Sequence, residues 1–303
     1  NLDLDEEGIR TSSKFALAEL IKGGSTTIVG ITPMANSRWQ SPPEESRVLA
    51  ETVGELGARG YISHQYRSAV KYKDDNGRTR YNWNEDEGER GLMRAIEFCE
   101  QHHKSFDGRL RTMLFPYQFE NCSLDLLRKT RQAAAENGWL VHMHAAEFLS
   151  QFHESLRQYD KTPVQCLYDL GFLDDDIILT HVLYTTFNEL SGYPKGDDSD
   201  IRLLAETGTN LVRCPAWYAR GVMSGAVIHS FNKYADLGVN MCLGTDTFPM
   251  DMFREMRHGA ILGKAADRNR KKPGAGDVFN AATVNGAKAL GRTDLGRICS
   301  GAK

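Results

Sequence analysis

The chain has 303 residues, with 37 Lys+Arg against 40 Asp+Glu and a formal net charge of −3. That balance, with no Lys/Arg block, excludes a broad basic footprint for nucleic acid. No apolar run reaches about 18 residues, which excludes a transmembrane helix. Six cysteines (99, 122, 166, 214, 242 and 299) form no CxxC pair. Scattered thiols in a long chain predict free cysteines in a reducing compartment, so the cytoplasm is expected.

Taken in chain order, short β-rich runs alternate with amphipathic segments. A helical pattern over Ile9–Ile21 precedes a strand at Thr26–Ile31. Arg47–Leu56 precedes Gly60–His64, and Leu92–Cys99 precedes Leu110–Pro116. Leu124–Ala135 leads to Trp139–His144, and Pro163–Leu170 to Asp176–His181. Ile201–Glu206 leads to Asn210–Arg213, and Val227–Leu237 to Val239–Gly244. The helical segments end near Gly or Asn, the stop signal expected before a strand. Helices are expected at Met252–Ala266 and Asp277–Leu290, and Leu295–Ile298 begins another strand pattern. The polar stretch Arg67–Gly88 reads as a long lid or a solvated insertion.

Repeated strand–helix–strand units predict a parallel sheet with right-handed crossovers. Eight such units close a barrel. Seven strand candidates behind a leading helix fit a barrel whose first strand lies upstream. An open doubly wound sheet is the rival, weakened because no G-x-G-x-x-G follows any strand candidate.

Of the nine histidines, His142, His144 and His181 sit at the carboxyl ends of strand candidates. Asp246 follows the last strand in Gly-Thr-Asp-Thr. In a parallel barrel those ends converge on one mouth. His142 and His144, two apart on a strand, share a face. Glu147, three residues after His144, falls where strand gives way to loop. Imidazole and carboxylate suit a borderline divalent cation such as zinc or iron. Water on such a cation ionises near neutral pH, and a neighbouring Glu can carry its proton. His142 is expected to be a hydrogen-bonded structural residue or to support a ligand from behind. His64 ends another strand candidate and is expected to line the pocket at most. His102 and His103 fall in a helix C-terminal turn, and His153, His229 and His258 are expected at the surface.

His-x-His-x-x-Glu on one strand, a strand-end His on the next and a strand-end Asp on the last resemble the amidohydrolase superfamily. The group that includes cytosine and guanine deaminases, methylthioadenosine/adenosylhomocysteine deaminase and the triazine hydrolases is the nearest. Ala18–Thr27, Arg213-Cys214-Pro215 and Ala281–Gly291 resemble further motifs of that group, in the same order. The resemblance implies a (β/α)8 TIM barrel of the metal-dependent hydrolase type, flanked by a small β-sandwich built from both chain ends. Residues 1–292 would be the barrel without strand one, and 293–303 the start of the sandwich's C-terminal part. His144 would be the strand-five ligand of one divalent metal ion, zinc ahead of iron. Asp246 would be the strand-eight ligand and a base for the attacking water. Glu147 would shuttle the proton to the leaving nitrogen. His181 would sit beside the water and steady the tetrahedral intermediate, approaching the metal itself in some members. Homo-oligomers are also implied.

Two departures stand out. The family's strand-one His-x-His is absent, so these 303 residues alone are expected to bind metal weakly and to be inactive. After Cys-Pro the group usually has Ser-Asn; here Ala216-Trp217-Tyr218-Ala219-Arg220-Gly221 follows, and Phe248-Pro249-Met250 follows Asp246-Thr247. Trp217, Tyr218 and Phe248 could stack on a planar substrate or pack the core. The expected reaction is hydrolysis of a non-peptide C–N bond, foremost deamination of a heterocyclic amidine of purine, pyrimidine, pterin or triazine type. Dechlorination, N-dealkylation or cyclic-amide cleavage on the same core, and a barrel that only binds small molecules, are the alternatives.

Overall fold

The computed structural model describes residues 4–32, 38–220 and 231–303. The chain divides into two units, Asn1–Met143 and His144–Lys303. Among the described residues, seven of the nine strands pair in parallel.

In the first unit, Asp5 opens helix Glu6–Lys22 by accepting the Gly8 N–H at 2.9 Å; Glu6 and Glu7 lie in its first turn and Lys22 in its last. β1 (Thr27–Ile31), helix Pro43–Glu55 and β2 (Arg59–Tyr66) follow. β1 and β2 pair from Thr27↔Arg59 to Ile31↔Ser63. Beyond them come β3 (Ala69–Lys73), β4 (Thr79–Trp83), helix Glu85–His102 capped by Asn84, and β5 (Leu110–Pro116). β5 joins β2 from Gly60↔Leu110. Helix Leu124–Asn137 starts on the Ser123 hydroxyl and ends on Gly138 at φ 65°, a conformation glycine adopts without penalty. β6 (Val141–Ala145) then pairs with β5 at Leu114↔Val141. Leu17, Ile28, Ala50, Val53, Ile62, Phe98 and Leu110 pack into one core.

Arg67–Gly88 is not a plain loop. β3 and β4 pair antiparallel from Ala69↔Trp83 to Lys73↔Thr79. The Asp74 carboxylate accepts the N–H groups of Asn76 and Arg78, and Gly77 takes φ 74°. Asn76-Gly77 is the hairpin signal that the polarity of the segment obscured.

In the second unit, helices Leu149–Tyr159 and Pro163–Asp169 precede β7 (Ile177–His181). Thr162 and Gln165 form a capping box on the second of these helices. Helix Ser199–Glu206, β8 (Asn210–Arg213), helix Pro215–Arg220, helix Phe231–Asp236 and β9 (Asn240–Leu243) complete the parallel series. β7 pairs with β8 from Ile178↔Asn210, and β8 with β9 from Asn210↔Asn240. Amides stitch the strand starts: Asn240 Nδ2 donates to Asn210 Oδ1 at 2.7 Å, and Asn210 Nδ2 to the Asp175 carbonyl at 2.7 Å. Val227–His229 and Ser230 of the helix expected at 227–237 lie outside the described residues.

Two further expectations differ from the structure. Asp277–Leu290 is two helices, Ala275–Ala282 and Val284–Ala289, broken at Thr283. The Thr283 hydroxyl donates back to the Phe279 carbonyl at 2.7 Å, a bond that bends helices. Leu295–Ile298 forms bends rather than a strand. Leu295 is buried, Gly296 takes φ 74° and Ile298 is fully exposed. Among the described residues no helix is long and apolar enough to cross a membrane.

Asp200 ties this unit together from inside. It is fully buried and accepts the Thr162 hydroxyl at 2.7 Å and the Thr186 N–H at 3.0 Å. Desolvation, opposed by those two hydrogen bonds, pushes its pKa from 3.8 to about 6. With the folded pKa above the unfolded one, the favourable protonated form is complete below about pH 4 and lost as pH rises through about 6. Each pKa unit is 1.36 kcal/mol, so ionisation costs roughly 2–3 kcal/mol. Denaturant titrations between pH 4 and 7 should show the wild type losing about that much relative to Asp200→Asn. Parallel pH profiles for the two proteins would refute the assignment.

Candidate active site

The second unit gathers polar side chains from three strand ends. β6 hands over to a loop through Ala146 at φ 46°. Glu147 follows, its N–H donating to Gln151 Oε1 at 2.7 Å, with the Phe148 N–H on the same oxygen at 3.1 Å. Gln151 thereby anchors the start of helix Leu149–Tyr159 and the backbone of Glu147 together.

His181 ends β7 and is 1% exposed. Its Nε2 lies 3.6 Å from Glu147 Oε1 and 3.7 Å from Asp246 Oδ2. The His144 ring stacks on it, with centroids 5.3 Å apart and planes 12° apart. Residues predicted from three separated segments therefore meet around His181. Asp246 follows β9, with one third of its side chain exposed. Desolvation pushes its pKa from 3.8 to about 6.

The segment after β8 closes the cluster. Cys214 is buried, and desolvation holds its thiol well above the ordinary range. Its sulfur, a His181 ring nitrogen and an Asp246 oxygen lie within 4.8 Å of one another. Trp217 Nε1 donates to Glu147 Oε1 at 3.2 Å. Tyr218 is 2% exposed, with its hydroxyl 3.1 Å from His181 Nδ1 and accepting the Cys214 N–H at 3.1 Å. The Ala216 N–H donates to Glu255 Oε2 at 3.1 Å. Glu255 is 1% exposed, and its pKa rises to about 7, chiefly by desolvation, with Asp246 and Asp251 adding to it. Arg220 Nη1 bonds Thr247 Oγ1 at 2.8 Å and also the Phe248 carbonyl. The Phe248 ring is 52% exposed.

Several residues hold left-handed backbone angles without being glycine. Ala146 (φ 46°), His181 (φ 75°), Val182 (φ 42°) and Asp246 (φ 43°) all do so. Such conformations cost about 1–3 kcal/mol each and persist where surrounding structure overrides them. Of the nine non-glycine residues with positive φ among the described residues, these four sit beside or within the cluster.

The remaining predicted residues lie as follows. His64, in the first unit, is buried with Nδ1 2.9 Å from Ser46 Oγ, and desolvation, with Arg94 adding to it, lowers its pKa to about 4. His142 is buried in that unit with its ring 4.7 Å from Phe115. His102 packs on Phe98, and His103 Nδ1 lies 3.0 Å from Thr112 Oγ1. His153 is exposed and His258 half-buried, while Gly221 and His229 lie outside the described residues. Glu255 was not signalled by sequence. Nine residues past Asp246 in the first turns of a helix, it reads like any solvated glutamate.

The His144 imidazole and the Asp246 carboxylate, both beside His181, are donors that suit a borderline divalent cation. A parallel α/β protein with a histidine–carboxylate cluster at its strand ends is the class defined so far. The chain belongs to the Amidohydrolase family, whose model matches residues 2–303. A 5'-deoxyadenosine deaminase of Methanosarcina mazei is 28% identical over 99% of this chain and 61% of its own length. A 5-methylthioadenosine/S-adenosylhomocysteine deaminase of Haloarcula marismortui is 28% identical over 99% and 62%. The chain thus spans about three-fifths of these relatives. Among solved structures, an adenosine deaminase from Xanthomonas campestris with bound zinc matches at TM-score 0.75 and 24% identity, over 99% of this chain and 61% of that one. A mutant atrazine chlorohydrolase from Arthrobacter aurescens TC1, complexed with zinc and atraton, matches at TM-score 0.80 and 21% identity, over 99% and 63%. These two establish the fold class, the α/β barrel of the amidohydrolases.

Proposed function

We propose that this chain is the catalytic part of a metal-dependent hydrolase that deaminates a heterocyclic amidine, with a 6-aminopurine nucleoside as the first substrate class to test. The observation that carries it is His181 Nε2 set between the carboxylates of Glu147 and Asp246, at 3.6 and 3.7 Å. His144 and Asp246 would hold a divalent cation, zinc ahead of iron. When bound, such a cation lowers the pKa of water toward neutrality and stabilises negative charge.

The chain's own residues then divide the work. Asp246 orients water and draws on its proton. Glu147 takes that proton and delivers it to the departing nitrogen. A C–N bond to the ring carbon breaks, a C–O bond forms, and ammonia leaves. His181 stabilises the oxygen that gains negative charge at the ring carbon. The exposed Phe248 ring offers a planar base a stacking face. Five buried free cysteines support placement in the cytoplasm. We further propose a homo-oligomer with a small heterocycle as partner and no role for nucleic acid or membrane.

The test is a panel of purine nucleosides, pyrimidines, pterins and triazines, offered to the complete natural protein with zinc. Ammonia release from an aminopurine is expected. Chloride, alkylamine or cyclic-amide products would favour the alternative reactions on the same core, and binding without turnover would make the barrel a receptor. A smaller effect bears on Trp217. Its indole N–H bonds a carboxylate, and such bonds contribute about 1.5–3 kcal/mol. Trp217→Phe should therefore lower kcat by roughly 10-fold or more. An unchanged kcat would remove Trp217 from the machinery.

A further inference from the structure

We propose that Tyr218 is a positioning residue that fixes His181 as the tautomer bearing hydrogen on Nε2, so that His181 serves as a hydrogen-bond donor and not as a metal ligand. The proposal rests on reading this cluster as the reaction centre.

A tyrosine oxygen has one hydrogen and two lone pairs. Tyr218 is 2% exposed, so its hydroxyl must find partners within the protein. One lone pair accepts the Cys214 N–H at 3.1 Å. The hydroxyl hydrogen needs an acceptor, and among the described residues its other partner is His181 Nδ1, at 3.1 Å. If Nδ1 carried a hydrogen, two N–H groups would point at one oxygen and the buried O–H would have nowhere to donate. Nδ1 is therefore the acceptor, and the neutral ring carries its hydrogen on Nε2.

The other side of the ring agrees independently. Nε2 faces Glu147 Oε1 at 3.6 Å and Asp246 Oδ2 at 3.7 Å. A hydrogen there is attracted to both oxygens, whereas a bare lone pair would be repelled by both. Trp217, one residue earlier, bonds Glu147. A single short helix, Pro215–Arg220, thus sets both side chains that handle protons and charge. Where relatives are expected to carry Ser-Asn, this chain has Ala216-Trp217, and Tyr218 follows.

The test is long-range proton–nitrogen NMR on protein labelled with 15N-histidine, at a pH where imidazoles are neutral. His181 is assigned by its loss in His181→Gln. In the metal-free wild type, a pyridine-type Nδ1 and a pyrrole-type Nε2 are expected. Tyr218→Phe should replace that single tautomer with a mixture. Adding zinc to the wild type should leave the Nε2 hydrogen in place. A hydrogen on Nδ1 in the wild type, unchanged nitrogen shifts in Tyr218→Phe, or loss of the Nε2 hydrogen on zinc binding would each overturn the proposal. The wild-type measurements decide it even if the variant fails to fold. None of these readouts involves turnover, so failure of the substrate panel would count against the reaction and leave the tautomer result standing.

Discussion

Glu147→Gln is expected to lower turnover by about 10²–10⁴-fold, the usual contribution of a positioned proton carrier. The amide keeps the shape of the carboxylate and still accepts the Trp217 indole N–H through its oxygen. It cannot take a proton from water and pass it on. Glu147 is buried, and its Oε1 faces both Trp217 and His181. The geometry should survive the substitution while the chemistry stops. Metal content, measured on the same preparation by atomic absorption, should be unchanged, because Glu147 is assigned no ligand role. Turnover close to wild type would show that the proton travels by another group. Loss of metal together with activity would move Glu147 from carrier to ligand.

Asp246→Asn should produce the complementary pattern, with metal content falling well below stoichiometric and turnover falling with it. A cation at such a site contributes several kcal/mol of charge stabilisation, which corresponds to roughly 10²–10³-fold or more in rate. In the metal-free site, desolvation pushes the Asp246 carboxyl up to about 6. A bound cation reverses that preference by favouring the charged form. Zinc affinity should therefore weaken as pH falls below neutrality and protons compete for the carboxylate. A zinc titration of wild type and variant at two pH values checks both statements. Full zinc occupancy in Asp246→Asn would place the cation elsewhere.

The strands were the most legible part of the chain. Leu110–Pro116 and Asn210–Arg213 match their predicted bounds, each a short β-rich segment set between helical patterns. Helix Leu149–Tyr159 escaped notice although Leu149, Phe152 and Leu156 recur at helical spacing. Its N-cap is Phe148, which offers no capping oxygen, and Gln151 from inside the helix does that work instead. His144, Glu147, His181 and Asp246 were legible because topology alone brings strand ends together. The Tyr218 hydroxyl, the Trp217 indole and Glu255 were not. Their contacts depend on how the short helix Pro215–Arg220 turns after β8, and no periodicity encodes that turn.

The left-handed residues at the strand ends bear on any attempt to toughen this protein. Replacing Val182 or Ala146 by glycine would relieve the backbone, and a screen for heat resistance would be drawn to such substitutions. The same changes would loosen the chain next to the two residues, His181 and Glu147, on whose placement the proposed reaction depends. At these positions, gains in melting temperature and losses in catalytic rate should be two faces of one change, so robustness is better sought at the far ends of the strands.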